Sequence, residues 1–185
     1  HFFIILSLVA SLVATIAYWK SSRATIGDEE ASWKKLARVA FLIDVFSVIA
    51  AFSIIFYLIS SHYYEYYYVW NHSDKSLAPK YLLSSIWEGQ EGSTLLWTFW
   101  HCVLGLIIIK KEKQFEAPVM SVVSFAQFFL ATMIIGIYIF DVKIGSNPFL
   151  LLRDSGVLDD APAMHMNFDV TQAIRPDYLT MITDG

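Results

Sequence analysis

Charge and cysteine are what this sequence has least of. Of its 185 residues only 16% are Asp, Glu, Lys or Arg, against roughly a quarter in soluble domains. The single cysteine, Cys102, excludes an internal disulfide framework and a CxxC redox or zinc site. Inside an apolar run it reads as a small apolar filler. Basic residues are fewer than acidic ones, and a net charge of −4 argues against a nucleic-acid partner. No nucleophile–base–acid triad, P-loop or dinucleotide fingerprint occurs, and no internal repeat or low-complexity tract.

What the chain does contain is apolar sequence in blocks. It is 56% hydrophobic with a mean hydropathy of +0.51, and a bilayer crossing takes about 20 apolar residues. Four runs qualify, and because a span must satisfy its backbone internally, each is read as a helix. The expected fold is an all-α polytopic membrane protein with four transmembrane helices at about 2–19, 37–60, 87–109 and 117–140. The third reaches full length only if it starts near Trp87. Residues 1–140 form the transmembrane region, with an outer aromatic loop at 61–86. Residues 141–185 form an irregular outer segment. Starting at His1 and stopping in a polar stretch, the sequence reads as a piece of a longer protein. With no basic region before it, Phe2–Trp19 reads as a retained span and not a signal peptide.

The basic residues orient these spans. Lys20, Arg23, Lys34, Lys35 and Arg38 fall at the first connection, and Lys110, Lys111 and Lys113 at the third. The positive-inside rule puts both in the cytoplasm and both ends of the chain outside.

Few residues are placed for chemistry. Tyr64, Tyr66, Tyr68 and Trp70 lie in a loop that reads either as an interfacial aromatic belt or as a platform for a flat ligand or a partner; their alternation also fits a short strand. In Trp87–Trp97, a helical reading puts Glu88 and Glu91 on one face and Gly89 and Gly92 on another, with Ser93 as a cap. That stretch reads as an ion-handling pair of carboxylates or as a packed helix entrance. His101 lies within a span and is a weak haem-ligand candidate, since a lone histidine there usually bonds to a neighbouring helix. His62, His72 and His165 are weak metal or haem candidates with no ligand spacing. Asp44 is expected to pair with Arg38 or Lys35, the other reading being a proton path.

The stretch Trp87, Gln90, Glu91, Gly92, Ser93, Leu95, Leu96 and Trp97 resembles the Trp-Gly-x-(His/Gln)-Glu-Gly-Ser-Leu-Leu-Leu-Trp segment of cytochrome c-type biogenesis proteins of the CcmF/CcsA kind. Thr94 replaces a leucine, and Glu88-Gly89 varies. Ser146, Asn147, Pro148 and Phe149 resemble the Ser-Asn-Pro-Phe after that family's corresponding span. Ser32-Trp33 through Leu36-Ala37-Arg38 resembles the basic entrance to its second helix. The family's tryptophan-rich Trp-Asp motif and its His-Pro-Pro, which serve haem, do not occur in this chain. The histidines present therefore inherit no haem role.

The resemblance implies cytochrome c assembly: the N-terminal part of a haem lyase in the cytoplasmic (inner) membrane. It would take haem b as substrate on the outer face and promote its attachment to apocytochrome c. Haem would be bound mainly by residues beyond this sequence, so no catalytic or metal-binding residue is assigned within it, and lyase-like activity is expected only of the full-length protein. The implied partners are haem, apocytochrome c, a haem chaperone, other assembly subunits and membrane lipid. Two other readings stay open: an ion- or proton-coupled transporter segment using Glu88, Glu91 and Asp44, and a non-catalytic scaffold docking apocytochrome or chaperone.

Overall fold

A computed structural model of the chain describes residues 1–25, 27–72, 81, 84–139 and 142–155. His165 and the rest of the outer segment from 156 onward lie outside the described residues. Four helices are long and apolar enough to cross a membrane: α1 (Phe2–Arg23), α2 (Gly27–Ser60), α4 (Gln90–Lys111) and α5 (Glu116–Ile135). A short helix, α3 (Tyr67–His72), lies between α2 and α4. The all-α membrane architecture holds, and the helix ends differ from expectation for local reasons.

The first is that helices run past the apolar stretch wherever terminal charges suit the helix dipole. Helix α1 continues to Arg23, with Lys20 and Arg23 in its last turn, and α2 begins at Gly27 with Asp28, Glu29 and Glu30 in its first. Anions at the N-terminus and cations at the C-terminus are each worth about 0.3–1 kcal/mol. Most of the expected first connection is therefore helix. In the same way α4 extends to Lys110 and Lys111.

The second is at the end of α5, which stops at Ile135 and not at 140. Gly136 adopts φ 74, a backbone open to glycine and strained for other residues, and its N–H bonds to the Thr132 carbonyl at 3.2 Å. The chain then forms a hairpin of β1 (Ile137–Ile139) and β2 (Val142–Ile144), paired antiparallel. It returns so that the Ser146 N–H reaches the Met133 carbonyl at 3.1 Å. Gly145 (φ 79) lies so close to that carbonyl that no Cβ fits.

The described residues divide between two compact units, those within 1–54 and 90–147, and those within 55–89 and 148–155. In the first, α1 buries Ile4, Ser7, Ser11, Ala14, Tyr18 and Ser21, a three-and-four spacing that keeps one stripe inward. That stripe is small and polar, while Phe2, Ile5, Val9, Leu12, Ile16 and Trp19 are exposed. Such a helix suits lipid, where small residues let backbones approach and large apolar ones face the hydrocarbon. The Ser21 hydroxyl donates to the Glu30 carbonyl at 3.2 Å, and the Ser7 hydroxyl donates to Asp44. Together these bonds set α1 and α2 antiparallel. Helix α1 packs along α5, and α5 along α4. Gly105 of α4 admits the buried Phe41 ring, which a Cβ there would displace.

One ion pair joins three of these helices. Glu116, at the start of α5, is fully buried and receives Arg38 Nε at 2.7 Å and Nη2 at 2.6 Å, while the Tyr18 hydroxyl donates to it at 3.5 Å. The Arg38 side chain keeps 43% of its surface exposed. Arg38 therefore pairs with Glu116 and not with Asp44.

Removing one partner of a buried pair is far costlier than replacing both. Glu116→Leu is expected to destabilise the full-length protein by about 3 kcal/mol, the lower end of that range because Arg38 reaches solvent. Arg38→Met with Glu116→Leu should recover most of the loss. Thermal unfolding of the purified protein in lipid nanodiscs reads both.

Candidate functional site

The stretch Trp87–Trp97 divides at the start of α4. Trp87 and Glu88 form a turn, with their N–H groups on the Ser84 and Ser85 carbonyls at 3.3 and 3.4 Å, and the helix begins at Gln90. The expected start near Trp87 is thus three residues early. The span keeps its length by running to Lys111 instead, 22 residues in all, or about 33 Å at 1.5 Å per residue. Glu88 consequently shares no helical face with Glu91, and Ser93 lies inside the first turn and not at a cap. Glu88 and Gln90 are exposed and Glu91 is half-buried, whereas Gly92 and Leu95 are buried. Ser93 and Leu96 are half-buried, and Trp97 is 65% exposed on the outer face of α4.

Gly89 marks the change from turn to helix. A Cβ there would lie 2.8 Å from His72 Nε2 and 2.9 Å from the Tyr68 ring. Tyr68 is itself fixed, 2% exposed, with its hydroxyl donating to the Ile86 carbonyl at 2.6 Å. Its ring stacks on His72 at 4.5 Å. His72 Nδ1 lies 3.0 Å from the Tyr68 carbonyl; a carbonyl only accepts, so Nδ1 carries the proton. The aromatic loop thus forms the core that Gly89 abuts.

That core belongs to the second unit. After α2 the chain turns at His62 (φ 55), and Tyr66 forms an antiparallel bridge with Leu151. The bridge is flanked by Tyr67 N–H to Leu150 O at 2.9 Å and Leu152 N–H to Glu65 O at 2.7 Å. The alternating tyrosines are therefore not a strand beyond that bridge, since Tyr67 already opens α3. Tyr64 and Tyr68 are buried with Val69, Ile86, Phe149 and Leu152; Tyr66 and Trp70 are half-buried.

The second motif piece follows the hairpin. Asn147 is half-buried with its Nδ2 2.9 Å from His1 Nδ1, while Pro148 and Phe149 are buried in a turn. Both motif pieces mark places where the chain passes from one unit to the other, at Gly89–Gln90 and at Asn147–Pro148.

The histidines are not gathered. His101 is half-buried and its Nδ1 has no hydrogen-bond partner among the described residues. His62 packs edge-on to Tyr64 at 5.9 Å. No group of three or more His, Cys, Asp or Glu able to hold a metal ion occurs among the described residues. A cavity of about 340 Å³ between α1 and α5 is lined by Thr15, Ile16, Trp19, Ser121, Val122 and Phe125, away from the motif and without a charge.

Sequence reasoning missed two polar groupings, Tyr18–Arg38–Glu116 and Ser7–Asp44–Gln127. Their signals were Glu116 just ahead of an uncharged span and Gln127, a lone amide within it.

With the motif placed, comparison with known proteins is informative. The cytochrome c-type biogenesis protein CcmF of Haemophilus influenzae is 26% identical to this chain over 141 residues, covering 66% of the chain. The chain resembles CcmF. It spans about a fifth of the length of that relative, 20%. No protein-family model matches the chain, and no solved structure matches it significantly.

Gly89→Ala is expected to push the Tyr68 or His72 ring aside and cost about 1–3 kcal/mol by overpacking. Tyr68→Phe should cost about 1 kcal/mol through its lost hydrogen bond. Hydrogen exchange of residues 84–89 in the full-length protein should quicken in both variants, more so in the first.

Proposed function

We propose that this chain is the N-terminal part of a cytochrome c assembly protein of the CcmF kind. It acts in the cytoplasmic membrane, with both ends of the sequence on the outer side. The similarity to the Haemophilus protein carries the reading. The Trp87–Trp97 and Asn147–Phe149 pieces support it, as do four helices able to span a membrane. The full-length protein receives haem on the outer face and promotes the bonding of its vinyl groups to the thiols of an apocytochrome Cys-x-x-Cys-His. A haem chaperone and further assembly subunits are its other partners.

In this reading the present region frames the reaction and does not perform it. The exposed edge of Trp87–Trp97, with Glu88, Gln90 and Trp97, borders the outer vestibule, and Gly92, Leu95, Pro148 and Phe149 serve packing. Tyr66 and Trp70 remain available to a partner, since Tyr64 and Tyr68 belong to the core. The exposure of Glu88 weakens the transporter reading, which needs the motif carboxylates inside a pathway.

Deleting the intact gene should abolish covalent haem staining of c-type cytochromes. Normal staining, with no second copy present, would overturn the proposal. The orientation is tested separately. Alkaline phosphatase fused after His62 should be active and after Lys113 inactive, and the reverse pattern would refute it.

A further inference from the structure

A second polar centre lies inside the first unit, apart from the motif. Asp44 of α2, and Ser124 and Gln127 of α5, are all fully buried, at 0% exposure. The Ser7 hydroxyl donates to Asp44 Oδ1, and Gln127 turns its amide N–H side toward the same carboxyl. Gln127 Nε2 also donates to the Thr98 carbonyl at 3.2 Å and to Cys102 Sγ at 3.1 Å. The site lies well inside the bilayer: Ser7, and with it Asp44, is about 20 Å along α1 from the basic end at Lys20.

What remains unpaired is informative. Asp44 Oδ2, Gln127 Oε1 and Ser124 Oγ have no hydrogen-bond partner among the described residues. An ionised carboxylate only accepts, and buried with no cation beside it and no donor at Oδ2 its charge would be costly. No basic group compensates, because the ion pairs among the described residues are Lys34–Glu30 and Arg38–Glu116. Ser7 faces the carboxyl from α1 and Gln127 from α5; the titratable group facing it is the Cys102 thiol from α4. A neutral carboxyl removes that cost. It carries one O–H, and Ser7 already occupies Oδ1, which leaves Oδ2 to hold the proton.

We propose that Asp44 is an intramembrane proton-binding site, held as the acid at neutral pH. The ligand is a proton, and the step is protonation alone: the Oδ2–H bond forms, water supplies H⁺, and no electrons leave the site. Beside Ser7, a cavity of about 10 Å³ lined by Ser7, Ser47 and Thr98 among apolar side chains is at the lower limit for a single water. The proposal is independent of any role in haem assembly.

The test is infrared spectroscopy of the full-length protein in lipid vesicles, in H₂O and D₂O at neutral pH. The wild type should show a deuterium-sensitive carbonyl band of a protonated carboxylic acid that Asp44→Asn removes. Ser7→Ala should move that band to higher wavenumber, because the acid's carbonyl oxygen Oδ1 loses its donor. An Asp44→Asn spectrum that matches the wild type in this region, or loses a carboxylate band instead, would overturn the proposal. Loss of the band on adding sodium at fixed pH would also overturn it, in favour of a cation site. Asp44→Asn is neutral and nearly isosteric, so its thermal midpoint should stay close to wild type. If that variant fails to fold, an unshifted band in Ser7→Ala refutes the assignment by itself.

Discussion

A carboxylate with no exposed surface must be paired, and much of the first unit follows from how Glu116 is paired. Burying an ion costs several kcal/mol even after relaxation. The cost is recovered by a two-point guanidinium contact, which is directional as well as strong. Arg38 supplies both points while its stem keeps contact with the surface, so only one of the two charges is taken fully out of solvent. Because the fork accepts one geometry, it sets the register of α2 on α5, and Tyr18 brings α1 to the same place. With that register set, Ser7 meets Asp44, Gly105 meets Phe41, and Gln127 meets Thr98 and Cys102.

The same constraint explains why the buried faces look inverted to an eye trained on soluble helices. In hydrocarbon, an outward leucine gains nothing by turning inward, so packing and hydrogen bonds decide what lies between helices. Ser7, Ser11, Ala14 and Ser21 occupy the inner stripe of α1, while Leu12, Ile16 and Trp19 face out. Each small residue shortens the distance between helix axes. That closeness lets side chains as short as serine reach across to a neighbouring helix.

How much of this was legible depended on whether the determinant was local. The number and type of spans were readable because a bilayer demands a run of known length. The early end of α5 was not read, although Gly136 and the β-branched residues after it favour a turn and a strand over more helix. Arg38 with Asp44 was a misreading that helix geometry argues against, since residues six apart do not face each other as those three or four apart do. The true partners, 38 with 116 and 44 with 7, are distant in sequence and carry no local signature. The motif likewise announced itself without revealing that its helix begins at Gln90. That depended on Tyr68 and His72 filling the space beside Gly89.

Trp87–Trp97 and Asn147–Phe149 therefore combine two kinds of demand. Gly89 is required by its surroundings, since any side chain there would strike a ring that two carbonyls hold in place. Gly92, Leu95, Pro148 and Phe149 are required by burial. Glu88, Gln90 and Trp97 are required by nothing within the described residues: they are exposed, and a tryptophan 65% exposed on a membrane helix stabilises no core of this chain. Residues of the first two kinds would persist in any protein with this packing. The third kind points outward, to lipid or to a surface supplied from beyond these residues.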